Sequence, residues 1–330
     1  MKKPKIYITS RSFGQRCEEA LRLVESVAEV ERNPYGRAMN EKELLKAVEN
    51  VEGLIVGADK VDRKIIGHSK NLKIIARHGI GVDNIDLEAA TDHNIVVTYA
   101  PHVNADSVAD FTVGLILSLA RGIPHAHFSM DQKRWESTKF IGVELCGKMI
   151  GIIGLGEIGY KVAERAKGFD MKILYWSRRR KTDIEKELGI QYVNFEDLLR
   201  ESDFITLHVA LTDETYGMIG RKELALMKKN AYLVNTARGQ IVDEKALYEA
   251  MRDGKIAGAA LDVYYQEPPN FDNPIFKLDN VITTPHIAAY TIEALRRMDL
   301  VNAEDVVKFF KGEKPLYIAN PEVTQKITKL

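Results

Sequence analysis

The chain has 330 residues, 45% of them apolar and 28% charged, and its 47 basic side chains balance 47 acidic ones. That length exceeds one compact core and predicts two domains, while the neutral balance argues against nucleic-acid binding, which draws on a basic excess. Two cysteines, Cys17 and Cys146, exclude a disulfide scaffold and fit a reducing compartment. Neither sits at metal-ligand spacing, and no metal is expected.

Residues Met1-Lys2-Lys3-Pro4-Lys5 lead straight into a strand-like run, with no apolar stretch of signal-peptide length behind the charges. The longest apolar-looking stretch, Phe111 to Ala120, is about half of what a membrane span requires. A cytoplasmic protein that engages no membrane is expected. Short β-branched runs at 5–9, 53–56, 72–76 and 95–98 alternate with helical periodicity, as at 17–27 and 41–48, which predicts parallel βαβ units. Asn40 and Asp86 stand where helix N-caps belong. A long helix is predicted from Asn104 to about Arg121, capped by Asn104 or Asp106. Its apolar stripe is Val108, Phe111, Leu115 and Leu119, and Gly122-Ile123-Pro124 interrupts it. Such a helix can carry the chain from one domain to the next. A second alternation begins at Lys148, with strands at 149–153, 172–176, 204–208, 231–235, 257–262 and 281–283. A last helix, 291–310, ends at Gly312 with Pro315 beyond. Neither a solenoid repeat nor a low-complexity segment interrupts this order.

Gly154, Gly156 and Gly159 form a G-x-G-x-x-G pattern after a strand and before a helical pattern over 160–168, the context a dinucleotide site requires. Gly154 permits the tight turn, Gly156 lets a pyrophosphate approach the backbone, and Gly159 allows close packing of helix on strand. Leu155, Glu157 and Ile158 complete the turn. The next strand ends at Tyr175-Trp176-Ser177, where an NAD site usually carries Asp or Glu against the ribose 2′-hydroxyl. Ser177 occupies that slot, followed by Arg178-Arg179-Arg180-Lys181. A serine beside guanidinium groups suits a 2′-phosphate, so NADP(H) is favoured, with NAD(H) the alternative.

Three further segments, 234–239, 261–268 and 283–287, each follow a strand, and ligands bind at the carboxyl ends of strands in doubly wound sheets. They would bring Arg238, Glu267 and His286 together. Reduction of a keto acid needs a proton for the carbonyl oxygen; histidine is the usual donor near neutral pH, a carboxylate beside it favours imidazolium, and arginine can polarise the carbonyl and hold the carboxylate.

In this order and behind this fingerprint, the motifs resemble the D-isomer-specific 2-hydroxyacid dehydrogenase family, which includes glyoxylate/hydroxypyruvate reductases and phosphoglycerate dehydrogenases. The resemblance runs from Ile6 to about Gly312. It is carried by Gly-Leu-Gly-Glu-Ile-Gly at 154–159, Asn-Thr-Ala-Arg-Gly at 235–239, Asp262 with Glu267-Pro268, and Pro285-His286. It implies His286 as acid/base, Glu267 as its partner, Arg238 as substrate anchor and Asp262 as support. Residues 77–86 resemble the family's substrate loop, where backbone N–H groups around His78, Gly79, Ile80 and Gly81 would bind the substrate carboxylate. Val108 would lie near the nicotinamide. His208, Val209 and Ala210 resemble a further cofactor loop, in which proline is common at the position of Ala210. Thr215, Thr236, Ala237, Asp262, His286 and Ala288 complete the implied cofactor contacts.

The resemblance also implies the fold: two doubly wound parallel-sheet α/β domains. A flavodoxin-like substrate domain would combine 1–103 with 288–330, and a Rossmann NAD(P)-binding domain would take 104–287. A homodimer is implied as well. Phosphoglycerate dehydrogenases of this type carry an arginine just after the strand 53–56; here Val56-Gly57-Ala58-Asp59-Lys60 lacks it, leaving Arg77 or Lys60 as substitutes. The end soon after the last helix leaves no room for an added regulatory domain. The expectation is reduction of glyoxylate or hydroxypyruvate to the D-2-hydroxy acid, with D-3-phosphoglycerate dehydrogenase as the alternative. Formate dehydrogenases of this fold pair the histidine with glutamine; here Glu267 holds that slot, with Gln266 next to it. A cofactor-sensing, corepressor-like binding protein on the same fold is the rival of another class.

Overall fold

A computed structural model describes residues 3–326, the last two by backbone alone. The chain divides into two compact units, Met1–Asn104 with Tyr290–Leu330, and Ala105–Ala289.

In the first unit the strands are β1 (Lys5–Ile8), β2 (Glu29–Arg32), β3 (Gly53–Val56), β4 (Ile74–Arg77) and β5 (Val96–Thr98). They pair in parallel in the order β2-β1-β3-β4-β5, the flavodoxin-like winding. Successive residues feed opposite layers, as strand geometry requires. Leu54 and Val56 of β3 join a cluster with Ile65, Ile66 and Ala89, while Ile55 joins one with Ile6, Val24 and Val306. The helix Ile292–Phe310 returns the chain to this unit and buries Ala294, Met298, Ala303 and Val306.

The second unit holds β6 (Met149–Ile153), β7 (Lys172–Trp176), β8 (Gln191–Tyr192), β9 (Phe204–Leu207), β10 (Tyr232–Asn235), β11 (Gly258–Leu261) and β12 (Val281–Thr283). Their parallel order is β12-β11-β10-β9-β6-β7-β8. This is the Rossmann order extended by one strand, and the winding reverses between β6 and β9. Ile152 faces Val162 and Ala163 in one layer, Ile153 faces Leu207 and Leu233 in the other. Each such fully buried aliphatic side chain contributes about 1.5–3 kcal/mol. Carboxyl ends of β6, β9, β10, β11 and β12 therefore lie along one edge of this unit, where the motif residues follow.

Several sequence expectations shift. Strand β2 reads Glu-Val-Glu-Arg and was expected as no element: it is an edge strand, mostly exposed, so its charges need no burial. The two-residue β8 is too short for any periodicity. The cofactor helix begins at Glu157 rather than at 160, because its first turn needs no apolar residue and accepts the acidic Glu157 at its positive end. The side-chain oxygen of Asn104 has no partner and does not cap the long helix Ala105–Arg121; Asp106 lies inside the first turn and pairs with Arg165. Asn40 and Asp86 do cap, accepting from Glu43 and Ala89. Gly122 turns left-handed (φ 61°), and a second helix, Ile123–Asp131, leaves at 65°. The buried stripe of the long helix is wider than expected, with Thr112 and Ile116 fully inside and Phe111 and Leu119 only partly so. Among the described residues no single helix is long and apolar enough to cross a membrane.

Candidate active site

The turn after β6 is shaped for close approach. Gly154 has φ 98°, and a Cβ there would lie 2.6 Å from the His208 carbonyl oxygen. At Gly159 a Cβ would lie 2.1 Å from the Gly154 carbonyl oxygen. Both glycines are demanded by the protein's own packing. Gly156 differs, because a Cβ there would meet nothing within 4 Å. It leaves open backbone at the N-terminus of the helix Glu157–Lys167, where the N-cap residue has no side chain to fold over it. The positive end of a helix with backbone open to approach suits a pyrophosphate. Leu155 is buried, Glu157 exposed and Ile158 half-buried.

Ser177 follows β7, and its hydroxyl donates to the Arg179 carbonyl at 2.6 Å, which folds the turn back. Arg180 is exposed like its neighbours but is tied down. It forks onto Glu185, which also accepts from Tyr175, and these partners draw the Glu185 carboxyl down to about 2. Arg178 and Arg179 are exposed.

The loop after β9 lies against the glycine turn. His208 meets the Thr206 hydroxyl at 2.7 Å, and burial pushes its imidazole down to about 3, so it stays neutral. Val209 is half-buried and Ala210 exposed. The Thr215 hydroxyl donates to the Ala210 carbonyl at 2.7 Å and pins the loop. Thr236, after β10, is buried and meets the Thr112 hydroxyl of the long helix at 3.0 Å; Val108 lies one turn away on that helix.

The three catalytic candidates stand on interlocked loops. Asn235 accepts from the Ala237 amide at 3.0 Å and donates to the Arg238 carbonyl at 2.9 Å, so one side chain clamps the segment that carries Arg238. The Arg238 guanidinium donates to the Ala237 carbonyl at 2.7 Å. Gly239 is required by close approach, since a Cβ would sit 1.9 Å from the carbonyl carbon of Tyr264. Tyr264 is buried, its hydroxyl donates to the Thr284 carbonyl at 2.8 Å, and burial pushes that hydroxyl up to about 12. Asp262 is fully buried and accepts from the Thr284 hydroxyl (2.6 Å) and the amides of Ile287 (3.0 Å) and Ala288 (2.8 Å). With three donors already satisfied, Asp262 shapes the loop that carries His286 and would reach a cofactor only through it. His286 itself takes a left-handed backbone (φ 54°) and presents a half-exposed ring. Its Nδ1 lies 2.6 Å from Glu267 Oε2, while Glu267 Oε1 accepts from the Tyr264 amide at 3.1 Å. Burial pushes the Glu267 carboxyl up, but His286, the Tyr264 amide and Arg238 outweigh it and leave the group below its ordinary value. The remaining ring nitrogen, Nε2, is the one free to serve a substrate.

In the other unit, the loop 77–86 departs from expectation in one respect. The amide of His78 donates to the Val56 carbonyl (2.8 Å) and that of Gly79 to the Arg77 carbonyl (2.9 Å). Only Ile80 and Gly81, of the four expected donors, make no amide hydrogen bond among the described residues. The His78 ring turns inward to Asp299, a buried partner that sequence reading missed. Arg77, expected as a substitute phosphate ligand, braces its own loop: its Nε donates to the Gly81 carbonyl at 2.8 Å and its Nη1 to that of His78. Asn235, Tyr264 and Thr284 fall within the motif segments 234–239, 261–268 and 283–287, but the roles the structure gives them were missed. Among the described residues no group of three or more His, Cys, Asp or Glu is placed to hold a metal.

A family model described as "D-isomer specific 2-hydroxyacid dehydrogenase, NAD binding domain" matches residues 113–288. The chain belongs to the D-isomer-specific 2-hydroxyacid dehydrogenase family. Among its relatives, a glyoxylate reductase of Thermococcus litoralis is 44% identical, covering 97% of this chain and 98% of its own length. A D-3-phosphoglycerate dehydrogenase of Methanocaldococcus jannaschii is 45% identical over 95% of this chain, which spans 60% of that protein. The crystal structure of the TT0316 protein from Thermus thermophilus superposes with a TM-score of 0.86 at 36% identity, covering 96% of this chain and 99% of that one. This dehydrogenase is thus an oxidoreductase with an NAD-binding domain, and its two parallel sheets are those of its family.

Proposed function

We propose that this dehydrogenase reduces glyoxylate or hydroxypyruvate to the D-2-hydroxy acid, with His286 as proton donor and NADPH preferred over NADH. The observation that carries the reading is the His286–Glu267 pair at 2.6 Å, at the carboxyl ends of β11 and β12. A bound nicotinamide dinucleotide supplies the hydride; the open backbone at Gly156, the turn at Ser177 and the loops at His208 and Thr236 would hold it. His286 Nε2 delivers the proton to the carbonyl oxygen, and Glu267 steadies the imidazolium before transfer. Arg238 offers forked donors suited to the carbonyl and carboxylate; in the first unit by itself, the amides of Ile80 and Gly81 suit a carboxylate.

The commitment of Arg77 to its own loop favours an unphosphorylated keto acid, since it removes one of the two cations expected to take a substrate phosphate. Lys60, the other, is exposed. The phosphoglycerate dehydrogenase relatives keep 3-phosphohydroxypyruvate as the second reading. Exposed Arg178 and Arg179 beside Ser177 support the 2′-phosphate preference. The test is kcat/KM for each cofactor with each keto acid. A corepressor-like role predicts cofactor binding without turnover at enzyme rates.

We also propose a homodimer. Phe128, Met130, Trp135 (83% exposed) and Ile141 (86%), all within residues 128–141, are exposed large apolar side chains that a partner subunit would cover. Sedimentation at micromolar concentration as a monomer would contradict it. A cytoplasmic location belongs to the same proposal, and the two unpaired cysteines fit it.

A further inference from the structure

The loop expected to hold the substrate carboxylate is anchored by a side chain that does not face the substrate. His78 follows β4 and is buried, with Nε2 2.7 Å from Asp299 Oδ1 and Nδ1 2.9 Å from the Ser10 hydroxyl. The Ser12 hydroxyl stands 3.5 Å from the same Nδ1, and Phe13 packs edge-on at 5.6 Å. Asp299, on the helix Ile292–Phe310, is fully buried and also accepts from the Gly14 amide at 3.0 Å. Burial holds the imidazole below its ordinary value, although Asp299 and Arg77 also act on it, in opposite directions. A neutral ring then donates from Nε2 to the carboxylate and accepts at Nδ1 from Ser10.

An apolar pair would fill this space without desolvating a carboxylate, a penalty of several kcal/mol that good geometry must offset. What the polar pair adds is direction. It fixes the β4 loop to the β1 loop, 68 residues away through Ser10, and to the helix Ile292–Phe310, 221 residues away through Asp299. From the other side Arg77 ties the His78 and Gly81 carbonyls, and Asn302, one turn past Asp299, donates to the Arg77 carbonyl at 3.2 Å. Between these braces stand the uncommitted amides of Ile80 and Gly81.

We propose that His78 and Asp299 are positioning residues: a buried strut that presets the Ile80 and Gly81 amides for the carboxylate of the keto acid. This rests on the proposed function for its kinetic reading, but not for its structural one. His78→Ala and Asp299→Asn should raise KM for the keto acid about 10-fold or more, because donor placement within about an ångström governs such sites, and leave KM for the cofactor within about twofold. The double variant should cost less than the sum of the singles. His78→Gln, which keeps one donor and one acceptor, should recover part of the loss and keeps the question open to test if His78→Ala does not fold. Hydrogen exchange of the 78–86 peptide should quicken in His78→Ala and Asp299→Asn with the 154–168 peptide unchanged. If wild type reduces no keto acid, the functional reading fails, and the exchange comparison still decides the strut. A folded variant with unchanged keto-acid KM, or unchanged exchange of the loop, would overturn it.

Discussion

His286 Nδ1 and Glu267 Oε2 lie 2.6 Å apart, on loops that Tyr264 ties together by donating its hydroxyl to the Thr284 carbonyl. The carboxylate thereby fixes which ring nitrogen carries the substrate's proton. Its own lowered pKa has two consequences with defined signs. Folded-state depression means that the pair stabilises the fold fully above about pH 4.3, the ordinary glutamate value, and that this contribution is lost as pH falls through the lowered one. In Glu267→Gln the acid-side loss of stability should therefore be shallower than in wild type, as thermal melts from pH 6 to 3 would read. In kinetics, reduction by Glu267→Gln should fall off at lower pH than in wild type, because the protonated ring loses its partner. Coincident pH profiles would mean that another group holds the proton.

His286→Ala removes the donor itself. Keto-acid reduction should drop at least ~100-fold in kcat, with cofactor affinity little changed. Fluorescence titration with NADPH separates the two effects, and near-normal turnover would refute the role of His286.

Asp262 gathers three donors of the 284–288 loop. Asp262→Ala should leave those buried groups unpaired, lowering stability by about 2–4 kcal/mol and disordering the loop that aims His286. Denaturant unfolding measures the first effect and kcat the second; an unchanged midpoint would show that water or relaxation replaces the carboxylate.

Ser177→Asp should place a carboxylate against the 2′-position and shift preference from NADPH to NADH by at least ~10-fold in the ratio of kcat/KM. Arg179→Ala should weaken NADPH more than NADH. Equal losses for both cofactors would separate the basic turn from phosphate recognition.

What could be read from the sequence was whatever is local. The β-branched runs, the glycine spacing and the caps at Asn40 and Asp86 each express their physics within a few residues, and the family resemblance ordered the rest. Strand β2 was hidden because an exposed edge can be built from Glu-Val-Glu-Arg. The extra turn of the cofactor helix, Glu157 to Gly159, holds a single apolar residue, Ile158, which is too little to show a helical period. Arg77 was read as a substitute phosphate ligand and His78 only through its backbone amide, whereas the Arg77 side chain braces backbone carbonyls and the His78 ring faces Asp299. In the sequence Asp299 belongs to a polar set at 299, 302 and 305, whose burial within the helix Ile292–Phe310 only the structure reveals. Such spacing marks a polar stripe but not its partner, His78, which follows β4 and comes near only in the folded unit.

The most direct test of the account is steady-state oxidation of NADPH and NADH with glyoxylate, hydroxypyruvate, pyruvate and 3-phosphohydroxypyruvate, with the configuration of the product determined. The account predicts fast NADPH consumption with glyoxylate or hydroxypyruvate and, from hydroxypyruvate, a D-configured product. A clear preference for NADH with 3-phosphohydroxypyruvate would contradict it and assign the enzyme to the phosphorylated substrate.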